Sequence, residues 1–385
     1  MEAPAAMPSR GQVNPRRGVS VSSRRGWGPG ASKKMTSLVL IVPGSLDTLT
    51  GGYGYDRRMA IELADRGWSV VVRELDGSFP LPTPAARDHA AGVLGAIAED
   101  TTVLVDGLAL GALPAEIERE AARLRVVGLV HHPLAAETGL DAGTAAQLEA
   151  SERRALAAVP LVIVTSRATA ETLAADGVDR HRLIVVEPGT DRAPLAHGSQ
   201  GAALQLLCVA ALIPRKGHEV LFRALAAIPN LNWRLTCIGS PDRDPVTAQR
   251  LCERLRADGL EDRVWLAGEM NTATLATHYD GADVFVLPTL YEGYGMAVAE
   301  ALARGLPIVS TDTGAIGELV GDEAGLLVPP GDVDALAAAL AQVVGDVHAR
   351  ERLKQGARRV RDRLPTWEGA SGRMAEALSQ FTIHN

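Results

Sequence analysis

The hydrophobic pattern of this chain is a repeated alternation of short apolar runs and amphipathic segments. From residue 37 the apolar runs predict strands at 37–42, 69–73, 102–105, 125–130 and 161–164. After residue 203 they predict strands at 204–209, 233–238, 264–266, 284–287 and 308–310. Continuous Val, Ile and Leu runs separated by helical segments indicate parallel sheets that are covered on both faces. The pattern therefore predicts an α/β protein with two doubly wound sheets.

A polar segment rich in Pro and Gly, at 187–201, separates the two series of strands and is typical of a linker. With 385 residues and 46% apolar residues, the chain can bury two cores. The predicted domains are a Rossmann-like domain at 35–190, a linker at 191–203, a second domain at 204–364 and a final helix at 365–385. Ligands are expected where the carboxyl ends of the strands meet the cleft.

The first 34 residues differ from the rest because they are rich in Gly, Pro, Ser and Arg and show no apolar periodicity. They also lack the apolar middle of a secretory signal. We expect residues 1–34 to be a disordered basic tail, or the chain to start at Met35 in place of Met1. A basic tail also leaves open a peripheral contact with an acidic membrane surface.

Composition excludes several classes of protein. Net charge is −7 for the whole chain and −13 without the basic tail, and aromatic residues make up 4%, which argues against a nucleic-acid surface. No apolar run approaches the roughly 18 residues that a membrane span needs. Cys208, Cys237 and Cys252 have no metal-ligand spacing. The first two lie in apolar strand patterns, so we expect buried reduced thiols there and a cytoplasmic location.

The richest segment runs from Glu292 to Glu300, between an apolar strand and an Ala-rich helix. Its glycines allow backbone amides to approach an anion closely, and a helix N-terminus favours phosphate. The residues predicted against a diphosphate are Gly293, Tyr294, Gly295, Met296 and Ala297. The two glutamates are too far apart to share a proton, and they suit two groups of hydroxyls on one long ligand. Together these features indicate a sugar nucleotide.

This segment resembles the E-x7-E signature of the retaining GT-B glycosyltransferases of family four, the glycosyl transferases group 1. The lead-in Leu287-Pro288-Thr289 and the Gly-Leu-Pro-Ile-Val segment at 305–309 are similar to that family as well. The resemblance covers about residues 36–382. It implies the GT-B fold, in which Glu300 holds the ribose hydroxyls and Glu292 holds the sugar hydroxyls of the donor.

Two further motifs follow strands of the first domain. Gly51-Gly52 follows the first strand, and the resemblance places such a pair near the donor diphosphate and the acceptor. His131 follows the strand at 125–130, and the family has a histidine here that reaches the transferred sugar. The alternatives are a turn that only caps a helix beginning at Asp56, and a histidine bonded to backbone. A metal site is not expected, because Glu137 is the one local candidate for a third ligand.

In the second domain, Arg215 and Lys216 follow the strand at 204–209 and precede Gly217. Cations at the start of a helix suit a pyrophosphate, since a helix N-terminus repels cations unless an anion lies there. Lys216 matches the family lysine. The family arginine is absent, because its position is occupied by Ala211, and Arg215 is the candidate replacement.

The sequence thus predicts a metal-independent, retaining hexosyltransferase that needs no cofactor. Its donor would be a UDP- or GDP-type sugar, and its acceptor a lipid, a glycan or a small molecule that the sequence does not identify. The catalytic residues would be His131, Lys216 and Glu292. Two alternatives stay open: a GT-B-fold sugar-nucleotide epimerase, and a non-catalytic GT-B partner protein that binds a glycan. The absence of the arginine at Ala211 favours the second alternative.

Overall fold

The two predicted sheets are present as two α/β domains that face each other. The computed structural model describes residues 19–21, 36–137 and 139–384. The first domain contains a sheet of seven strands in the order β1-β3-β2-β4-β5-β6-β7, in which every pair but β1 with β3 is parallel. These strands are β1 (Val19–Val21), β2 (Ser37–Pro43), β3 (Ser69–Leu75), β4 (Thr102–Asp106), β5 (Arg125–Val130), β6 (Leu161–Val164) and β7 (Leu183–Val185).

Among the described residues, six α-helices of the first domain surround this sheet. They are α1 (Gly51–Asp65), α2 (Pro84–Gly95), α3 (Gly107–Ala112), α4 (Pro114–Glu120), α5 (Ala142–Ala158) and α6 (Arg167–Ala175). Strands β4, β5 and β6 are almost entirely buried, as continuous apolar runs require. One apolar core lies on each face of the sheet, which is the arrangement that a doubly wound fold produces.

The second domain contains six parallel strands in the order β10-β9-β8-β11-β12-β13. They are β8 (Leu204–Val209), β9 (Trp233–Ile238), β10 (Val264–Leu266), β11 (Val284–Leu287), β12 (Ile308–Thr311) and β13 (Gly325–Val328). The α-helices around them are α7 (His218–Ala226), α8 (Pro245–Ala257), α9 (Thr272–Asp280), α10 (Met296–Leu302), α11 (Ile316–Val320), α12 (Val333–Gly345) and α13 (Val347–Arg361).

The structure confirms all ten strands that the apolar runs predicted, with their ends within two residues. Three strands were not predicted: β1, β7 and β13. They have three or four residues each, and β7 and β13 are only partly buried, so they carry too few apolar positions to stand out. Strand β1 lies within the segment predicted to be a basic tail; the rest of residues 1–34 lies outside the described residues.

The last helix, α14 (Trp367–His384), packs on α1 of the first domain. Its residues Trp367, Met374 and Phe381 share an apolar core with strands of the first sheet. The hydroxyl of Thr366 accepts a hydrogen bond from the Gly369 amide at 3.1 Å, so Thr366 caps this helix. The chain therefore passes twice between the domains, once at the linker and once before α14.

These two crossings lie against each other. The Thr190 amide donates to the Pro365 carbonyl at 2.8 Å. A Cβ on Gly189 would lie 2.2 Å from the Trp367 nitrogen, so only glycine fits there. The two crossings are therefore in direct backbone contact. The segments that follow β5 and β11 also meet, with Gly293 against the His131 backbone, and we call this meeting place the junction.

Candidate functional site

Helix α1 begins at Gly51, five residues before the position that the sequence predicted. Gly51 and Gly52 therefore form the first turn of the helix and are not a loop. The hydroxyl of Thr50 accepts from the Tyr53 amide and caps the helix, while Tyr55 and Met59 are buried on its inner face. Capping and burial together offset the cost of the three glycines of this helix, Gly51, Gly52 and Gly54, which is up to about 1 kcal/mol each.

The absence of side chains at Gly51 and Gly52 matters for packing at the junction. A Cβ on Gly52 would lie 3.3 Å from Cδ2 of His131, and one on Gly51 would lie 3.8 Å from Sδ of Met296. His131 belongs to the first domain and Met296 begins α10 of the second. The start of α1 thus contacts the predicted catalytic histidine and the predicted diphosphate segment.

His131 is held by two aspartates that the sequence analysis did not single out. Its Nε2 lies 3.0 Å from Oδ1 of Asp56 and 3.4 Å from Oδ2 of Asp106. Burial acts to lower the pKa of the imidazole, but the two carboxylates outweigh it and raise this pKa to about 10. No local spacing relates these three residues, since they come from α1, β4 and the end of β5. Only the sheet order brings them together.

The segment from Glu292 to Gly295 lies directly against His131. A Cβ on Gly293 would be 2.1 Å from the His131 carbonyl oxygen, so the two backbones are in contact across the junction. This contact joins the strongest motif of the second domain to the predicted histidine of the first. It also requires glycine at position 293, because any side chain would push the two backbones apart.

Lys216 and Glu292, which the sequence predicted as separate donor contacts, form an ion pair. Nζ of Lys216 lies 2.5 Å from Oε2 of Glu292, and the two side chains are 16% and 14% exposed. Burial acts to raise the pKa of the Glu292 carboxyl, but Lys216, followed by Arg215, keeps it below its usual value. The pair places a cation and a hydroxyl acceptor side by side, next to the contact between Gly293 and His131.

Arg215 points across the junction toward the first domain. Its Nε lies 3.1 Å from Oε1 of Glu137, and its NH1 donates to the Tyr291 carbonyl at 3.1 Å. Glu137 also faces His132, with Oε2 and Nε2 at 3.6 Å. Although burial acts to raise the pKa of Glu137, the side chains of His132 and Arg215 lower it to about 2. Arg215 thus contacts a carboxylate here, and its predicted role toward a diphosphate stays a prediction.

Helix α10 begins at Met296, with the preceding Gly295 in the left-handed region at φ 97°. No side chain caps this end, so the first amides of the helix, including that of Ala297, have no side-chain acceptor. Tyr294 is buried, and its hydroxyl has no hydrogen-bond partner among the described residues. Binding of a diphosphate by these amides stays a prediction that the local geometry permits.

Glu300 is partly buried within α10, where it accepts a hydrogen bond from Tyr279. The Tyr279 hydroxyl lies 3.1 Å from Oε2 of Glu300, and the Arg304 guanidinium lies 4.4 Å from the centre of the Tyr279 ring. Burial raises the pKa of the Glu300 carboxyl. The second oxygen stays available to an outside donor, which is what a ribose contact would need.

Two groups of side chains in the described residues have the chemistry to hold a metal ion. One consists of Asp56, Asp106 and His131, and the other of Cys208, His218 and Cys237, with the ligand atoms of each group within 4.8 Å of one another. The second group is fully buried between β8, β9 and α7. Cys208 and Cys237 are buried as predicted, on paired positions of neighbouring strands.

The fold and the junction define a class of protein: two Rossmann-like domains with an E-x7-E helix and a histidine meeting between them. Residues 203–346 match the family described as Glycosyl transferases group 1. The match covers most of the second domain, and the two domains together have the GT-B fold. Within the part of the chain that the structure describes, no helix is long and apolar enough to span a membrane.

Curated relatives agree with this assignment. The chain is 26% identical over 309 residues to the MMP alpha-(1->4)-mannosyltransferase of Mycolicibacterium hassiacum, covering 76% of this chain and 74% of that protein. It is 30% identical over 249 residues to the D-inositol 3-phosphate glycosyltransferase of Xylanimonas cellulosilytica, covering 60% of this chain and 59% of the relative. The chain thus spans between half and three quarters of these two relatives.

Solved structures share the whole fold. The sucrose-phosphate synthase of Thermosynechococcus elongatus superposes with a TM-score of 0.77 at 22% identity, over 91% of this chain and 100% of that one. HepE from Anabaena, in complex with UDP and glucose, superposes with a TM-score of 0.72 at 17% identity, over 90% of this chain and 100% of that one. These likenesses establish the GT-B fold of the two domains.

Proposed function

We propose that this protein is a retaining, metal-independent glycosyltransferase that moves a hexose from a nucleoside-diphosphate sugar to a hydroxyl of an acceptor. The observation that carries the proposal is the meeting of Lys216, Glu292 and His131 at one junction, with the unsubstituted backbone of Gly293 between them. A fixed cation, a hydroxyl acceptor and an imidazole are the groups that a sugar diphosphate needs at its reacting bond.

The donor diphosphate would lie beside Lys216 and the first amides of α10. As the bond from C1 of the sugar to the phosphate oxygen breaks, negative charge develops on the leaving phosphate. A fixed cation and fixed amides then stabilise the transition state more than the ground state. Glu292 would turn from Lys216 to the sugar hydroxyls, and the second oxygen of Glu300 would accept from the ribose.

Retention without a covalent intermediate follows from the surroundings of the carboxylates. Glu292 is paired with Lys216, and Asp56 and Asp106 are paired with His131. In the proposed complex Glu292 is engaged by the sugar hydroxyls and the two aspartates are engaged by His131, so none of the three is placed to attack C1. We therefore infer front-face transfer, in which the leaving phosphate takes the proton of the acceptor hydroxyl.

A UDP-type donor is favoured by the HepE structures, which hold UDP or UDP-glucose. The test is a thermal-shift screen of UDP-, GDP- and ADP-sugars, since a ligand that binds only the folded state raises its stability. Nucleotide release is then measured with and without acceptors, and NMR of the product gives the anomeric configuration. Absence of release with every donor, or an inverted product, would overturn the proposal.

The anion site is tested by Lys216→Ala, which should weaken nucleoside-diphosphate binding and lower turnover by about 10²-fold, since one such contact is worth a few kcal/mol. The matched variant is Arg215→Ala, whose side chain already contacts Glu137. We expect the arginine variant to lose less turnover. A silent Lys216→Ala beside a damaging Arg215→Ala would reverse the assignment.

The alanine at position 211 favours a second candidate, a non-catalytic GT-B protein that binds a glycan. With Arg215 engaged by Glu137, this chain has one cation fewer for the diphosphate than the resemblance implies. The two candidates differ in one result: the non-catalytic protein would shift its melting temperature with oligosaccharides and show no stabilisation by any nucleotide.

A further inference from the structure

Three side chains from separate elements form a buried cluster that the proposed donor contacts do not include. Asp56 lies on α1, one turn after Gly52, and Asp106 ends β4, where its Oδ1 caps α3 through the Leu108 amide at 2.9 Å. His131 follows β5, and its Nε2 faces Asp56 at 3.0 Å and Asp106 at 3.4 Å. The cluster therefore stands at the carboxyl edge of the sheet, beside the junction of the domains.

Because this cluster is buried, its ionised carboxylates need a cation close by. Asp56 is 1% exposed and Asp106 is 3% exposed, and Oδ2 of Asp56 has no hydrogen-bond partner among the described residues. Two ionised carboxylates at such depth need a cation in contact with them. Arg57 acts on Asp56 from a distance, because its NH1 donates to the Leu46 carbonyl. His131 is the cation in direct contact.

The pKa directions agree with this geometry. Burial acts to lower the pKa of His131, and Asp56 and Asp106 overcome it and raise that pKa to about 10. Burial raises the pKa of Asp56 to about 6, against the opposing effect of His131. Between these values both partners carry charge, so at neutral pH the ion pair is intact.

The orientation of the imidazole is also fixed. Its ring meets the buried Tyr55 ring edge-on at 5.4 Å and an interplanar angle of 80°, and it packs on the backbone of Gly52. Both aspartates face Nε2, which leaves Nδ1 as the nitrogen available to a ligand. The side chain is 17% exposed, so it reaches the cleft. A charged imidazole in this position donates a hydrogen bond and has no lone pair to accept one.

We propose that Asp56 and Asp106 are positioning residues that keep His131 as a charged hydrogen-bond donor toward the sugar and the leaving phosphate. The inference rests on the proposed function and deepens it. A charged His131 cannot take the proton of the acceptor hydroxyl. When the new bond from the acceptor oxygen to C1 forms and the old bond from C1 to the phosphate oxygen breaks, that proton therefore passes to the leaving phosphate, as the charge balance requires.

The direct test is a titration of the histidine ring by carbon–proton NMR on the full chain with labelled histidine. The His131 signal is assigned by its disappearance in His131→Gln, and the titration needs no donor or acceptor. We expect the signal of a charged ring throughout pH 6 to 8.5. A ring that loses its proton near pH 6.5, the ordinary value for histidine, would overturn the proposal.

A second test uses Asp56→Asn, because this substitution keeps the shape of the side chain and removes its charge. The pKa of His131 should fall by about 1 to 3 units, the effect of losing a carboxylate at this distance. Nucleotide release by this variant should stay within about threefold of the parent at pH 6 and fall progressively as pH rises to 8.5. The double variant Asp56→Asn, Asp106→Asn should bring the pKa of His131 close to 6.5, the ordinary value for histidine.

The matched control is Glu116→Gln, a buried carboxylate of the same domain that pairs with Arg87 at 3.2 Å, away from the junction. It should leave both the His131 signal and the pH profile unchanged. A parallel fall in activity at every pH in Asp56→Asn would show a merely structural role and overturn the proposal. Loss of activity with a chelator, restored by Mn²⁺, would assign the cluster to a metal and overturn it too.

The outcomes also separate this inference from the proposed function. If no donor yields nucleotide release, the proposed function fails while the NMR titration still reports on His131. If transfer is observed but the ring titrates as an ordinary histidine, the proposed function stands and the positioning role of the aspartates fails.

Discussion

The ion pair between Lys216 and Glu292 allows a quantitative test, because the pair is shielded but not fully buried. The perturbations are Lys216→Met, Glu292→Gln and the double variant, which remove each charge with little change of shape. Each single change leaves a charged partner about 15% exposed without its counterion. Breaking a fully buried pair costs about 3–5 kcal/mol, and residual solvation reduces this to about 1–3 kcal/mol here.

The double variant should be more stable than the sum of the single effects predicts, since no unpaired charge is left. We expect a coupling free energy of at least about 1 kcal/mol. For a domain of this size that corresponds to about 2–4 °C in melting temperature. Urea unfolding of the parent and the three variants, followed by tryptophan fluorescence, gives the four free energies; a transition with more than one step is fitted per domain.

The pH dependence of this coupling supplies an internal check. The pKa of Glu292 is lowered in the folded protein, so the stability of the pair is present above the unfolded value of about 4.3. It should be lost as pH falls through the lowered pKa. The control cycle uses Arg250 and Glu219, a surface pair of the same domain at 3.8 Å, for which we expect less than about 0.5 kcal/mol. A coupling at 216 and 292 no larger than in this control would refute the reasoning.

Two further predictions concern the junction. Glu300→Gln should mainly raise KM for the donor, because a ribose contact is made equally in the ground and transition states. Glu292→Gln should mainly lower kcat. Equal effects of the two variants on KM and kcat in steady-state kinetics would contradict this prediction. Gly293→Ala should reduce transfer at least about tenfold and lower the melting temperature, since its Cβ would meet the His131 carbonyl at 2.1 Å. Gly92→Ala, in open space on α2, should keep activity and gain about 0.5–1 kcal/mol of stability. Equal activities and equal melting temperatures of the two variants would count against the contact.

Most of the strands could be predicted from the sequence because buried strands appear as local runs of apolar residues. A run such as 125–130 is continuous because both faces of β5 are covered, and ten strands could be located in this way. The beginning of α1 was misplaced because two glycines read as a loop. The helix there depends on the Thr50 cap and on burial of Tyr55, and the latter is a tertiary effect.

The sequence could predict functional residues from local segments, but not which distant residues pair with them. Glu292 to Glu300 form one segment with its own glycines and helix, so residue type and spacing predicted their role toward a sugar nucleotide. The sequence by itself also indicated Lys216 and His131, since both follow strands whose carboxyl ends face a cleft. It could not indicate that Lys216 pairs with Glu292, 76 residues away, nor that Arg215 turns to Glu137.

What only the tertiary structure decided is the set of partners at the junction. Asp56, Asp106 and His131 meet because β2, β4 and β5 are neighbours in the sheet and α1 returns over the end of β2. Ion pairing acts through space at a few ångströms and leaves no periodic trace along the chain, whereas burial of apolar strands repeats residue by residue. For this reason the sequence determined the class of protein and its principal motif, and the fold determined which charges face one another.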